Sequence, residues 1–330
     1  MIKRMIIMAD KKAIAVLTSG GDAPGMNAAV RSVVRTAIAK GFTVYGIKEG
    51  YYGLVNDMFE ELTLRSVSDI INRGGTVLRS ARCLEFKEEW AMQKGIENCK
   101  KRNICGLVVI GGDGSFRGAK DLSERGLPAV GIPATIDNDI SASEYSIGFD
   151  TAIDTVMEMA DRIRDTSSSH LRCSVIEVMG RHAGWLALES GIAVGASAII
   201  VSEVPFNFEE DIVKPFKKHI ETGRHSFIVI VAEGVGGSAE LAKKIEAATG
   251  VESRATILGH VQRGGSPTAK DRIIATKMGH YAVNLLEKGI GKRVVVMRDN
   301  AITDLDIFEA LSMKKPFDVE SYNIAKEVNI

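Results

Sequence analysis

Several short runs in this sequence combine residue types that can handle phosphate. The first is Leu17-Thr18-Ser19-Gly20-Gly21-Asp22-Ala23-Pro24-Gly25-Met26-Asn27, placed after an apolar run and ahead of an amphipathic stretch. Glycines there let backbone N–H groups approach an anion, and the start of a following helix adds its dipole. A tight turn that binds nothing would use the same residues. A second run, Val108-Val109-Ile110-Gly111-Gly112-Asp113-Gly114-Ser115-Phe116-Arg117-Gly118, repeats the arrangement. Its glycines at 112, 114 and 118 miss the dinucleotide spacing by one residue, and no G-x-x-x-x-G-K-[ST] loop occurs in the chain. Asp113 sets this run apart. A carboxylate among glycines suits Mg²⁺, which takes one or two carboxylates and completes its shell with substrate phosphates. A helix N-cap is the alternative use of such an aspartate.

A third run, Gly131-Ile132-Pro133-Ala134-Thr135-Ile136-Asp137-Asn138-Asp139, places two carboxylates just beyond another apolar run. That is the carboxyl end of a candidate strand, where open α/β sheets bind ligands. Asp137 and Asp139 can serve as general base and orienting carboxylate, and close approach would raise the pKa of one of them. A turn rich in capping residues is the bland alternative. Cationic residues recur at later strand ends: Arg172, Met179-Gly180-Arg181-His182, Arg254, and Gly259-His260-Val261-Gln262-Arg263-Gly264-Gly265. A lone arginine is usually a solvated surface group, but four at strand ends, two of them beside glycines, fit a clamp for phosphate oxygens. Glu233, ending the run Ile228 to Ala232, stands where a sugar hydroxyl would find an acceptor. Together these groups point to phosphoryl transfer from a nucleotide to a phosphorylated acceptor, a chemistry of positioning and charge neutralisation.

Holding such residues requires an alternating scaffold. Strand-like runs at 13–18, 42–48, 106–110, 129–132, 173–178, 198–201, 226–232, 255–258 and 293–297 are separated by enough chain for covering helices, as at 28–40 and 116–124. This predicts a mostly parallel sheet with helices on both faces. Ile153, Val156, Met157, Ala160 and Ile163 share one face of a helix expected to end at Arg164 to Asp165, before the polar run Thr166 to His170. Nine candidate strands exceed the roughly four to six of an ordinary open sheet, so two domains are expected, with a first boundary near Ser146 to Asp150.

The 330 residues hold 42 basic and 42 acidic side chains, so no broad positive field exists to bind nucleic acid or an anionic membrane. Any anion must be caught locally. An apolar share of 45%, a charged share of 25% and 33 glycines describe a globular chain enriched in glycine. Cys83, Cys99, Cys105 and Cys173 form no C-x-x-C pair, which argues against a disulfide framework or zinc site and for a reduced, cytoplasmic setting. The apolar stretch in Met1 to Met8 is too short for a signal peptide or membrane span; it reads as a ragged leader, with Met8 a candidate alternative start.

Leu17 to Asn27, Gly111 to Ser115, Pro133 to Asp139, Met179 to Arg181 and Gly259 to Pro267 resemble, in order and spacing, the motifs of ATP-dependent 6-phosphofructokinases of the short bacterial type, over essentially the whole chain. The resemblance implies two Rossmann-like three-layer α/β/α domains of the phosphofructokinase fold. Each would be discontinuous, with 1–147 and 261–312 binding ATP and 148–260 and 313–330 binding fructose 6-phosphate. It further implies transfer of the ATP γ-phosphate to the sugar 1-hydroxyl. Asp137 would be the base, Thr135 and Asp139 its support, and Arg181 the cation facing the transferred group. Asp113 would hold Mg²⁺, while Gly21, Tyr51, Arg82, Cys83, Gly112, Gly114 and Ser115 match nucleotide-contacting positions. Ile136, Met179, Gly180, Glu233, His260 and Arg263 match sugar-phosphate positions, joined by Arg172 and Arg254 from a neighbouring subunit of a homotetramer.

Pyrophosphate-using relatives look similar but carry Asp where this chain has Gly114 and Lys where it has Ala134, so ATP is the expected donor. A pyrophosphate-dependent enzyme and a non-catalytic nucleotide or sugar-phosphate sensor are the alternatives. A basic effector site for ADP or phosphoenolpyruvate is matched by Arg31, Arg35, Asp69, Arg164, Gly195, Arg224 and His225. Three departures, Leu64 for Arg, Ser197 for Glu and Thr222 for Lys, imply an altered or weakened effector response.

Overall fold

The computed structural model describes residues 12–223 and 226–328. Met1, Met8, Arg224 and His225, which carry expectations above, lie outside the described residues. The chain runs through β1 (Ala13–Thr18), α1 (Met26–Ala39), β2 (Thr43–Ile47), α2 (Gly50–Val55), β3 (Phe59–Glu61), α3 (Glu89–Lys100), β4 (Ile104–Gly111), α4 (Asp113–Glu124) and β5 (Ala129–Pro133). Next come α5 (Phe149–His170), β6 (Cys173–Val178), α6 (Trp185–Ala193), β7 (Ala198–Ile200), α7 (Lys214–Glu221), β8 (Phe227–Ala232), α8 (Ser238–Thr249) and β9 (Ser253–Ile257). It closes with α9 (Ala269–Glu287), β10 (Arg293–Arg298), β11 (Ala301–Asp306), α10 (Ile307–Ser312) and α11 (Val319–Val328).

These elements form two compact α/β units. The first takes the chain up to Thr135, with Ile140–Ile147 and Ser266–Lys314; the second takes Ile136–Asp139, Gly148–Gly265 and the chain from Lys315 onward. The later crossings therefore fall at 265–266 and 314–315, beyond the expected 260–261 and 312–313. The tetrapeptide 136–139 also groups with the second unit. Hydrogen bonds explain this: Gln262 accepts from the backbone N–H of Met179, and Lys315 donates to the carbonyl of Asn138.

The sheet of the first unit has the order β11-β10-β5-β4-β1-β2-β3. Its central strands are parallel, and both edge strands, β3 and β11, are antiparallel. All six residues of β1 are buried, and β4 is apolar along its length, as strands covered by helices on both faces must be. The antiparallel edges were not legible in the sequence. β11 returns beside β10 through Asp299-Asn300, whose φ values of +50° and +59° fit a two-residue hairpin turn. The second unit carries a wholly parallel sheet in the order β7-β8-β6-β9. Its edge strand β9 keeps Arg254, Ala255 and Ile257 exposed.

One helix departs from expectation. α5 does not stop at Asp165 but continues through the serine run to His170, where Leu171, at φ +56°, ends it. The serines satisfy themselves locally: Ser169 donates to the carbonyl of Asp165, and the Ser167 and Ser174 hydroxyls meet at 2.6 Å. Among the described residues no helix is long and apolar enough to cross a membrane.

Candidate active site

In the first unit, β1 leads to β2 on one side while β4 lies on its other side, so the strand order reverses at the β1/β4 pair. Open α/β sheets bind ligands at such a reversal, outside the carboxyl ends of the strands. The two glycine runs leave the sheet there. Ser19 N–H donates to the carbonyl of Ile110 at 2.9 Å. At Gly111 a Cβ would lie 2.4 Å from the Ser19 carbonyl oxygen, so only glycine lets the two turns approach. At Gly114 a Cβ would meet nothing within 4 Å, so no protein packing demands glycine at that position.

Asp113 is the first residue of α4, and Gly112 rather than Asp113 occupies the N-cap. A carboxylate in the first turn is favoured by the helix dipole. Among the described residues no group of three or more His, Cys, Asp or Glu is arranged to hold a metal ion. A lone carboxylate beside phosphate-binding turns is still a donor set that fits Mg²⁺, which retains waters and shares phosphate oxygens.

Tyr51 is part of the core rather than an open surface. Its ring stacks on Phe86 at 4.2 Å, and its hydroxyl donates to the Ser115 carbonyl at 2.5 Å. The absence of a side chain at Gly118 makes room, since a Cβ there would lie 2.5 Å from Tyr51 Cζ. Tyr51 thus joins the opening of α4 to the Phe86 segment, on which Arg82 is exposed and Cys83 half-buried. Burial pushes the Cys83 thiol up; a hydrogen bond with the Phe86 backbone opposes this, and Glu85 adds a smaller upward push. Gly21 is exposed on the first glycine turn.

The third run leaves β5 through Ala134, whose N–H donates to the Gly111 carbonyl at 3.0 Å, and half-buried Thr135. Asp137 and Ile136, in the second unit, are buried, Asp137 with 2% of its surface exposed. Arg181 Nε lies 3.5 Å from Asp137 Oδ2. Burial is the main reason the Asp137 carboxyl titrates above the usual range. Asp139 and, more weakly, Glu233 push the same way, and Arg181 and Arg263 oppose them. Four other residues picked from sequence therefore act electrostatically on the Asp137 carboxyl.

The Met179–Arg181 turn is tightly held. Glu233 Oε1 accepts from the N–H groups of Gly180 at 3.2 Å and Arg181 at 2.6 Å. Gly180 sits at φ +139°, where a Cβ would strike the Ala183 carbonyl at 2.4 Å. Gln262, wholly buried, accepts from Met179 N–H at 3.2 Å and donates to the Gly259 carbonyl at 2.9 Å. It ties this turn to the Gly259–Arg263 turn that carries exposed His260 and half-buried Arg263. Sequence reasoning gave Gln262 no role, because a lone amide in a cationic run carries no pattern.

Arg172 and Arg254 gather elsewhere in the second unit. Both pair with Glu252, at 2.8 Å and 2.9 Å, beside the exposed edge strand β9. Of the effector positions, Arg31 and Arg35 lie on α1 and Asp69 is exposed at φ +55°. Arg164 donates to the Val194 carbonyl next to Gly195. Ser197, Leu64 and Thr222 are all within the described residues. The Ser197 hydroxyl accepts from Ile228 N–H at 3.4 Å, Leu64 is 47% exposed, and the Thr222 hydroxyl donates to the His219 carbonyl at 2.8 Å.

A family model described as phosphofructokinase matches residues 13–286. The chain belongs to the phosphofructokinase family. It is 54% identical over 318 residues to an ATP-dependent 6-phosphofructokinase 1 of Clostridium perfringens, covering 96% of this chain and 99% of the relative. An ATP-dependent 6-phosphofructokinase of Bacillus cytotoxicus is 53% identical over 319 residues, covering 97% and 100%. Among solved structures, phosphofructokinase from Saccharomyces cerevisiae superposes with a TM-score of 0.85 at 36% identity. That match spans 97% of this chain and only about half, 47%, of the yeast chain. The pyrophosphate-dependent phosphofructokinase of Marinobacter aquaeolei, at 21% identity and a TM-score of 0.84, covers 97% of this chain and 91% of its own, and shows the shared fold alone. The α/β architecture and the phosphofructokinase fold expected from sequence are thereby borne out.

Proposed function

We propose that this protein transfers the γ-phosphoryl group of ATP to the 1-hydroxyl of fructose 6-phosphate, giving fructose 1,6-bisphosphate and ADP in glycolysis. The observation that carries the reading is buried Asp137, titrating high and paired with Arg181 in a chain that matches ATP-dependent relatives over nearly its full length.

Asp137 takes the proton from the sugar 1-hydroxyl as that oxygen forms its bond to the γ-phosphorus. The bond from the γ-phosphorus to the bridging oxygen breaks, and its electron pair leaves with ADP. A base with a raised pKa retains useful basicity near neutral pH. Arg181 meets the charge spread over the transferred oxygens, and Arg263 with His260 holds the 6-phosphate. Thr135 and Asp139 position Asp137, while Ile136, Met179, Gly180 and Glu233 shape the sugar subsite. Gly21, Gly112, Gly114 and Ser115 receive the nucleotide, with Arg82 and Cys83 alongside and Tyr51 behind them. Asp113 would hold Mg²⁺, whose chemistry is to neutralise charge on the phosphate oxygens.

ATP is the donor because the space at Gly114 is open and Ala134 adds no cation. The first unit is the ATP-binding domain and the second the sugar-phosphate domain. The protein acts as a homotetramer in which Arg172 and Arg254, beside the open edge of β9, complete a neighbour's sugar-phosphate site. The four free cysteines suit a reduced cytoplasmic setting. Incubation with ATP, Mg²⁺ and fructose 6-phosphate, with pyrophosphate in parallel, tests the assignment. Fructose 1,6-bisphosphate forming with ATP alone supports it, and product from pyrophosphate alone refutes the donor assignment.

A further inference from the structure

We propose that Lys315 is a positioning residue that sets the orientation of the Asp137 loop, an inference that rests on the reading of Asp137 as the base. Asn138, between the two carboxylates, is 4% exposed and held at φ +48°, a left-handed conformation that an asparagine tolerates but does not prefer. A buried turn of this kind persists only when its surroundings fix it. Lys315 Nζ donates to the Asn138 carbonyl at 2.8 Å. That carbonyl belongs to the peptide joining Asn138 to Asp139, so fixing its plane sets the direction of Asp139 and, one residue upstream, of Asp137.

The ammonium is itself fixed. It lies 4.7 Å from the centroid of the Trp185 ring, at the start of α6, in a cation–π contact. Trp185 packs on Phe317 at 5.6 Å, Phe317 on Tyr322 at 6.2 Å, and the Tyr322 hydroxyl donates to the Ile199 carbonyl at 3.1 Å. A flexible lysine stem thus becomes a rigid strut, anchored in α6, α11 and β7 of the same unit and ending on the loop that carries the base. A small displacement of a catalytic group is enough to slow phosphoryl transfer, and about 10- to 100-fold is the usual penalty.

The test compares Lys315→Met, which keeps the stem over Trp185, with Lys315→Arg, which keeps the charge and donor. The Met variant is expected to lose roughly 10- to 100-fold in kcat, with KM for both substrates within about 3-fold of the parent. The Arg variant is expected to recover most of the loss. Hydrogen exchange of a peptide spanning 136–139 should rise in the Met variant and fall again in the Arg variant, a readout that does not depend on the reaction assigned. Parent-like kcat in the Met variant overturns the proposal. So does unchanged exchange, or a loss in which kcat, both KM values and the melting temperature shift together without rescue by Arg. Absence of turnover in the parent protein would instead count against the assigned reaction, leaving the exchange result to decide on Lys315.

Discussion

Arg181 and Asp137 form an ion pair of very unequal exposure: with Nε 3.5 Å from Oδ2, the arginine side chain is 63% exposed and the carboxylate 3%. One partner is dry and the other wet. The dry carboxylate bears the desolvation that raises its pKa, and the exposed guanidinium stays open to solvent, as the proposed contact with a phosphate requires.

The raised pKa of Asp137 has a consequence for stability. The folded state binds this proton more tightly than the unfolded chain does. The group's contribution therefore becomes less favourable as pH climbs from the ordinary value of 3.8 through its raised value. Asp137→Asn should melt at a higher temperature than the parent at neutral pH, with the gain fading below pH 3.8. Thermal melts across that range check this, and a less stable Asn variant at neutral pH would contradict it.

Arg181 lowers the pKa of Asp137, so removing it should let that pKa rise further. For Arg181→Met the acid limb of the kcat profile should move to higher pH while the plateau itself falls by roughly 100-fold or more, as for loss of one preorganised charge-stabilising group. A pH–rate series decides the point; an unmoved acid limb would separate Arg181 from the titration of the base.

Gly118 and Tyr51 offer a packing test. A methyl at 118 would sit 2.5 Å from Tyr51 Cζ and displace the hydroxyl that holds Ser115. Gly118→Ala should cost about 1–3 kcal/mol of stability. Because Ser115, in the first turn of α4, belongs to the proposed nucleotide site, KM for ATP should rise several-fold more than KM for fructose 6-phosphate. Equal changes in both would show that Tyr51 serves only the core.

Leu64, Ser197 and Thr222 stand where the resemblance implies an effector-binding Arg, Glu and Lys. Fructose 6-phosphate saturation curves should accordingly shift little on adding ADP or phosphoenolpyruvate. A shift as large as that of relatives with the full basic set would refute this.

The sequence made legible what is periodic or local. Strands buried along their whole length, such as β1 and β8, announced themselves, and the glycine-containing turns drew attention to Gly111 and Gly180, where a Cβ would strike a backbone oxygen at 2.4 Å. The antiparallel edges β3 and β11 escaped because one is three residues long and the other has no buried residue. α5 ran past its expected end because Ser167 and Ser169 bond to nearby groups rather than breaking the helix. Gln262 and Lys315 were invisible for a different reason. Each works through a backbone atom more than fifty residues away, at sequence separations of 83 and 177, and no spacing rule encodes such a partner.

The most direct measurement is the steady-state turnover of the parent and of Asp137→Ser with ATP, Mg²⁺ and fructose 6-phosphate. The parent should produce fructose 1,6-bisphosphate and ADP, and the Ser variant should lose roughly a thousand-fold or more in kcat while both KM values stay close to the parent's. A Ser variant that turns over at the parent's rate would contradict the account.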